Sequence, residues 1–561
     1  KGVRSGKASG PVGEACIAFS GQAHIRKDVF IMHQAVNFSR RNFVQLGGVA
    51  TLGATAASIY SPAVAQAGEL IEGAPVIPSF FAAPDPIAEA DIAETYDYDL
   101  VVVGAGNSGI AAAAAAVKAG AKVAVVEKWN TANGQGNEGS GIDLDESDEA
   151  AIQHLVNMHL KGNSWRPRRD VVETWAHRSG EALHYLLDFF ADCENPLKYE
   201  YEPGEIEPVA YPGTDKKATL FWVCPTEGNY MKALKVYADF LASKSVDFYY
   251  ETPAMQLVQD ESGRVNGIVC QNTDGAYLKF NTAKGVILCT GDYQNDPEMV
   301  SWYLPDFAHS EPKQIGKTGD GLKMALWVGG VVEPVGHTKM SHGYGNGPMG
   351  DEPFLILDMN GKRFCDETVT LWERQTFFRF ADETCQYVQL FDSNYAEQVE
   401  GWGGKATPEE KFPTYMPDSE EHNGKGKLFQ ADTLEELAGK LGIEDVETFI
   451  ASVERYNELV AAGSDDDFGK DPRYLKPVDT APFYGIYRNA GITAITSGIL
   501  TDASQRVIDA NDEPIAGLYA AGNTAGGFFG GVEYQLRTIE GISIGKAFTG
   551  GYVAVETALS D

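Results

Sequence analysis

Gly104-Ala105-Gly106-Asn107-Ser108-Gly109 follows the apolar run Leu100–Val103, and Glu127-Lys128 closes a second apolar run. Each residue type suits one task at a dinucleotide. Gly104 permits a sharp turn out of a strand. Gly106 lets backbone N–H groups, including those beside Ala105 and Ser108, approach a pyrophosphate. Gly109 lets a helix lie close on a sheet, and a carboxylate about 20 residues on, here Glu127, accepts hydrogen bonds from ribose hydroxyls. The alanine-rich run after Gly109 reads as a helix whose N-terminus turns its positive dipole end to the phosphates. A glycine triplet alone is weak evidence. The strand before it, the helix after it and the acid at the right offset make it a dinucleotide fingerprint.

Other residues are placed for chemistry with less certainty of role. The stretch 133–141 carries Gly136, Asn137, Gly139, Ser140 and Gly141, a glycine density that reads either as backbone lying against a ligand or as a surface loop. Asp320, in Thr318-Gly319-Asp320-Gly321, either caps the helix that opens there or touches a cofactor. His337 and His342 flank Thr338–Ser341 where the composition changes; they read as an acid, a substrate ligand, or core and surface residues. The seven cysteines make no Cys-x-x-Cys pair and no Cys-x-x-Cys-His, so the chain offers no haem, zinc or iron–sulfur spacing, and no metal site is expected. A disulfide pairing cannot be read from their positions.

The elements that would position these residues alternate between strand and helix, which gives an α/β class with a Rossmann-like dinucleotide domain. Helices are expected from Ser147 to Lys161 and from Arg169 to Phe190, with strands at Phe248–Leu257, Arg264–Gln271 and Ala283–Gly291. From about residue 341 to 480 the texture becomes richer in Gly, Met, aromatic and charged residues. It includes a capping box at Thr433 and Glu436 and an acidic loop, Ser464–Asp467, that reads as solvated. The dinucleotide domain is therefore expected in two parts, 95–340 and 481–561, around an inserted α+β domain. No second glycine fingerprint marks a nicotinamide module.

The 561 residues carry a net charge of −34, which argues against nucleic acid and against an anionic membrane surface. Residues 1–31 contain no Met and read as an upstream extension; Met32 follows. Arg40-Arg41, a short Gly/Ala-rich apolar stretch and Ala65-Gln66-Ala67 read as a twin-arginine export signal over 32–67, too weakly apolar for a span of ~20 residues. Residues 68–94 would be a linker. The expected location is outside the cytoplasm.

Taken together, Gly104–Gly109, Glu127-Lys128, the 133–141 stretch, Lys284–Gly291, Thr318–Gly321, Gly361–Glu367, Ala431–Leu437, Pro482–Tyr484 and Leu518–Asn523 resemble the flavoprotein family of fumarate reductases and succinate dehydrogenases. That family also takes in the 3-ketosteroid dehydrogenases. The resemblance spans about residues 95–561. It implies FAD, with the inserted domain as a cap over the flavin. It also implies that Ala254 lies near the adenine, Thr290 and Gly291 along the cofactor, and Gly522, Asn523, Ser543 and Ile544 toward the isoalloxazine.

The departures narrow the substrate. Where family members hold a carboxylate with histidine, this chain has Thr493-Ala494. Where they carry a proton-delivering Arg four residues after the glutamate that Glu367 matches, it has Leu371, with Arg374 nearby. A dicarboxylate would lack partners in a dry site, so fumarate is disfavoured. Arg537 lies close to the family's last substrate Arg, and Tyr534 to the catalytic Tyr of ketosteroid dehydrogenases. The candidate catalytic residues are Tyr534, Arg537 and Arg374. The implied reaction is hydride transfer from reduced FAD to an activated C=C bond of an enone or enoate. Electrons would come from a separate cytochrome or quinol-linked donor. The alternatives are a ketosteroid-type dehydrogenase and a flavin-carrying electron-transfer subunit.

Overall fold

The computed structural model describes residues 77–201, 205–341, 348–350, 352–369, 386–419, 427–489, 491–531, 534 and 539–561. The export signal read at 32–67 and the candidates Arg374, Arg537 and His342 lie outside them.

Strands β1 (Ile92–Val103), β2 (Val123–Val126), β3 (Asp247–Tyr249), β4 (Tyr277–Leu288) and β5 (Pro514–Ala520) form the parallel centre of one sheet. Their spatial order is β5-β4-β1-β2-β3. Leu100–Val103, Val123–Val126 and Val286–Leu288 are buried throughout, as strands covered on both faces must be. Helix α1 (Asn107–Lys118) joins β1 to β2. Its run Ile110–Ala116 is buried, and the small side chains let it lie close against the C-terminal helix α2 (Ile542–Ser560). The last part of the chain thus completes both sheet and helical layer, with Val286 opposite Leu518. The split dinucleotide domain expected from the sequence has this form.

The single strand expected at Phe248–Leu257 is two strands, β3 and Ala254–Gln259. The chain leaves the sheet at Glu251, which has φ 52°, and the Thr252 N–H donates to the Glu127 carbonyl at 2.9 Å. The break therefore buttresses the acidic residue at the end of β2. The first long helix starts after Asp148 rather than Ser147, because the Ser147 hydroxyl accepts the Thr219 N–H at 2.8 Å instead.

A second, antiparallel sheet takes strands Leu355–Asp358, Gln386–Phe391, Phe483–Asn489 and Leu428–Ala431 in that order. Helices Leu434–Leu441 and Val446–Ala462 pack on it, the first capped by the Thr433 hydroxyl. This corrects the boundary read at residue 481. Phe483–Asn489 pairs on both edges with cap strands, so the return to the flavin domain comes after it. Of the acidic loop Ser464–Asp467, read as solvated, Ser464, Asp466 and Asp467 are exposed and Asp465 is the correction. Asp465 is buried, and its carboxylate accepts from Arg363 at 2.8 and 2.9 Å and from the backbone N–H of Lys470 at 3.0 Å. Arg363 also donates to Glu367, which Lys470 approaches at 3.1 Å. A four-residue ionic cluster inside the cap, rather than solvent, neutralises these charges.

Candidate active site

Gly104 leaves β1 with φ +101°, and a Cβ there would stand 2.5 Å from the Cys289 carbonyl oxygen. At Gly109 a Cβ would overlap the Gly104 carbonyl oxygen. Both glycines are therefore needed to fold the turn. Gly106 differs: its backbone is extended, and a Cβ would be 3.5 Å from the nearest protein atom, the Asn133 carbonyl oxygen. It is the N-cap of α1, and no side chain caps that helix. The first-turn N–H groups are thus open toward the space Gly106 faces, which is where an anion gains most.

Glu127 is 7% exposed. One carboxylate oxygen accepts the Ala105 N–H at 2.7 Å and the other accepts the Trp129 N–H at 2.9 Å. The turn and the second strand are thereby tied together, and each oxygen keeps a lone pair for a hydroxyl. Lys128 donates to the Asp320 carboxylate at 2.7 Å and to the Thr318 hydroxyl at 2.8 Å. Asp320 does not cap its helix; the N-cap is Gly319, and the carboxylate turns to Lys128.

These groups border one cavity of about 1010 Å³, its solvent-open part included. Gly104, Gly106, Ser108, Glu127, Lys128, Ala254, Thr290, Gly291, Asp320, Gly522, Asn523, Ser543 and Ile544 all line it. Thr524 braces the middle of the wall, donating to the Gly291 carbonyl at 3.2 Å and accepting its N–H at 2.9 Å. Asn107 and Gln135 also line the cavity, and the Asn107 amide donates to the Gln135 carbonyl at 2.9 Å. An uncapped helix start and a carboxylate with lone pairs left for ribose hydroxyls, bordering one cavity, fit FAD.

Other predicted contacts fall elsewhere. Ala105 serves through its N–H to Glu127. Gly109 packs the turn, and Gly136 and Gly139 make room for Ile544. Asn137 is exposed. Ser140 is buried in the strand Gly139–Asp143, its carbonyl accepting from Trp175, and Gly141 faces Leu183 and Phe221. The glycines of 136–141 thus serve the packing of α2 and its neighbours rather than the cavity. The start of the 133–141 stretch does line the cavity, through Asn133, Gly134 and Gln135, whereas sequence reasoning missed Trp129, Asp292, Gly316 and Lys317, which also line it. For Trp129 and Gly316 no motif was available: they are 187 residues apart in sequence, and a Cβ at Gly316 would run into the Trp129 ring.

Tyr534 is 7% exposed and sits in an apolar cluster with Phe528, Phe529 and Ile542. Burial pushes its hydroxyl well above the ordinary tyrosine range, although it takes a backbone hydrogen bond from Ser543 in the first turn of α2. It stays protonated and able to donate at neutral pH. His337 is enclosed. Its Nδ1 meets the Tyr293 hydroxyl at 2.6 Å, its Nε2 meets the Glu333 carbonyl at 2.8 Å, and burial pushes its pKa down to about 4. It reads as a neutral core residue. Glu367 is held by Arg363 and Lys470 in the cap cluster. Thr493 gives its carbonyl to the Gln294 amide at 3.2 Å, and Ala494 is 1% exposed. Among the described residues no three His, Cys, Asp or Glu side chains could hold a metal ion, and Cys193, Cys224, Cys270 and Cys289 are free thiols. No described helix is long and apolar enough to cross a membrane.

Comparison with known proteins gives the same picture. The model of the FAD binding domain matches residues 99–535. Vinyl phenol reductase of Lactiplantibacillus plantarum is 28% identical over 489 residues, covering 82% of this chain and 96% of that protein. Fumarate reductase (cytochrome) of Shewanella frigidimarina is 24% identical over 480 residues, covering 82% and 76%. The crystal structure of 3-ketosteroid delta1-dehydrogenase from Sterolibacterium denitrificans superposes with a TM-score of 0.63 at 20% identity, covering 83% of this chain and all of that one. That last likeness is one of fold.

Proposed function

The chain belongs to the FAD binding domain family and is an FAD-dependent oxidoreductase of the fumarate reductase type, acting on C=C bonds; from that premise we propose that it reduces a neutral or aromatic conjugated alkene, an enone or enoate, and not fumarate. The observation that carries this reading is Thr493-Ala494. Where the resemblance calls for carboxylate-binding histidine, one residue spends its carbonyl on Gln294 and the other is a buried methyl. Neither side chain can carry a positive charge, and a dianion buried without cationic partners costs several kcal/mol.

When bound, FAD supplies the hydride. Tyr534 supplies a neutral hydroxyl, held by the Ser543 N–H at the start of α2, as donor to the developing enolate or as the proton source. Arg537, three residues further on, and Arg374 in the cap are the cations assigned to the same task. Vinyl phenol reductase, the relative covered over most of its length, has an aromatic alkene in its name, which favours aromatic alkenes among the candidates.

The alternative, a ketosteroid-type dehydrogenase, draws on the position of Tyr534 before the C-terminal helix. An anaerobic assay with a reduced dye as donor separates the two. Turnover of vinylphenol or enone substrates only with reduced dye is expected; turnover only with an oxidised acceptor supports the alternative. We also propose export through the twin-arginine signal at Arg40-Arg41 and electron supply by a separate cytochrome or quinol-linked protein, since this chain carries no haem-attachment motif. Fusion of residues 32–67 to a reporter tests the first, and Arg40→Lys with Arg41→Lys should block it.

A further inference from the structure

Lys546 lies in α2, between Ile544 and Ala547 of the cavity wall, yet its side chain turns away from the cavity. It is 5% exposed. Its ammonium donates to the Ala525 carbonyl at 2.6 Å and to the Gly522 carbonyl at 3.0 Å, and it stands 5.8 Å from the centre of the Phe528 ring. Burial pushes its pKa down to about 8, against the pull of the Glu333 carboxylate. Glu333 is itself buried. It accepts the Gly498 N–H at 3.0 Å and takes further hydrogen bonds from Gly527 and Ser497.

Burying a lone ammonium is costly, and a methionine would fill the same volume without that cost. The arrangement is also polarised. Lys546 grips Gly522, which lines the cavity, whereas Glu333 is held by Gly498, Ser497 and Gly527, none of which lines it. The ammonium is thus tied to the turn that carries the cavity-lining Gly522 and Asn523, while the donors to the carboxylate lie outside the lining. Two-electron reduction of a flavin adds negative charge, and a fixed cation in a low-dielectric wall stabilises the charged form.

We propose that Lys546 is a positioning residue that clamps the Gly522–Ala525 turn onto the C-terminal helix and, through its charge, biases bound FAD toward the reduced state. The proposal rests on FAD occupying the cavity and is independent of which alkene is reduced. Its test therefore needs no substrate.

The flavin midpoint potential of FAD-loaded protein, measured by anaerobic dye equilibration, reads it. K546Q keeps an amide donor for the two carbonyls and removes the charge. Its potential should fall by ~30 mV, which is a tenfold loss of preference for reduced over oxidised flavin. K546R keeps the charge and should stay near the wild-type potential. An unchanged potential in K546Q, or an equal fall in K546R, overturns the proposal. E333Q removes the opposing charge and should move the potential upward; no shift, or a downward one, overturns it as well. E333Q gives this reading even if K546Q does not retain FAD.

Discussion

Gly106→Ala separates cofactor binding from folding. The backbone at Gly106 has φ −84° and ψ −170°, which any residue adopts, and a Cβ there would touch only the Asn133 carbonyl oxygen at 3.5 Å. The apoprotein has no objection to the methyl group. Its stability should hold within ~1 kcal/mol, with a small gain from the less flexible unfolded chain. The methyl group would stand in the cavity before the uncapped start of α1, where a pyrophosphate must come within hydrogen-bond distance of backbone N–H groups. Losing two such charge-assisted bonds at about 1.5 kcal/mol each costs about 3 kcal/mol, or ~100-fold in FAD affinity. The control is Gly109→Ala, whose Cβ overlaps the Gly104 carbonyl oxygen and must move backbone. It should lower thermal stability by more than ~1–3 kcal/mol. The assay is FAD titration of deflavinated protein beside thermal unfolding of both variants. A Gly106→Ala protein that binds FAD as tightly as wild type would refute the placement of the pyrophosphate at this turn.

Tyr534→Phe should bind FAD normally and lose turnover by ~10²–10⁴-fold, read in the reduced-dye assay; full activity would remove Tyr534 from the mechanism. Trp129→Ala and Gly316→Ala both disturb the same wall of the cavity, so both should speed FAD release, and the tryptophan emission quenched on FAD binding should diminish in Trp129→Ala. In the cap, burial raises the Glu367 and Asp465 carboxyls, but Lys470 and Arg363 outweigh it and hold both below the ordinary carboxylate range. Their stabilisation is therefore present above the unfolded-state value near ~4 and is lost as pH falls below it. Thermal unfolding between pH 7 and 3 should show that loss, and Arg363→Met should unfold far more easily, by ~3–5 kcal/mol, because it strands the buried Asp465 carboxylate and leaves Glu367 to be balanced by Lys470.

The central sheet was legible because each of its parts announces itself locally. Leu100–Val103 and Ala283–Leu288 are continuous apolar runs, and the glycine turn sits between strand and helix. Glu127 was legible for the same reason, although its two backbone hydrogen bonds to Ala105 and Trp129 were not. What stayed hidden depends on contacts distant in sequence. Asp465 looks like part of a solvated acidic run until Arg363, 102 residues away, is seen to pair with it. The glycines at 139 and 141 carry the density of a ligand loop but answer to Ile544, Leu183 and Phe221. Phe483–Asn489 is a short apolar strand that either sheet could claim. Only its two cap neighbours decide. Nothing local to Lys546, between Gly545 and Ala547, reveals that it is buried.

The central claim is that reduced flavin in this cavity passes hydride to a neutral or aromatic alkene. The most direct measurement is anaerobic single-turnover reoxidation of the photoreduced, FAD-loaded enzyme, followed by flavin absorbance. Vinylphenol, a cyclic enone, an aromatic enoate and fumarate would be supplied separately. The account predicts rapid reoxidation by at least one of the first three, with formation of the saturated product, and none by fumarate. Reoxidation by fumarate alone, or by no alkene at all, would contradict it.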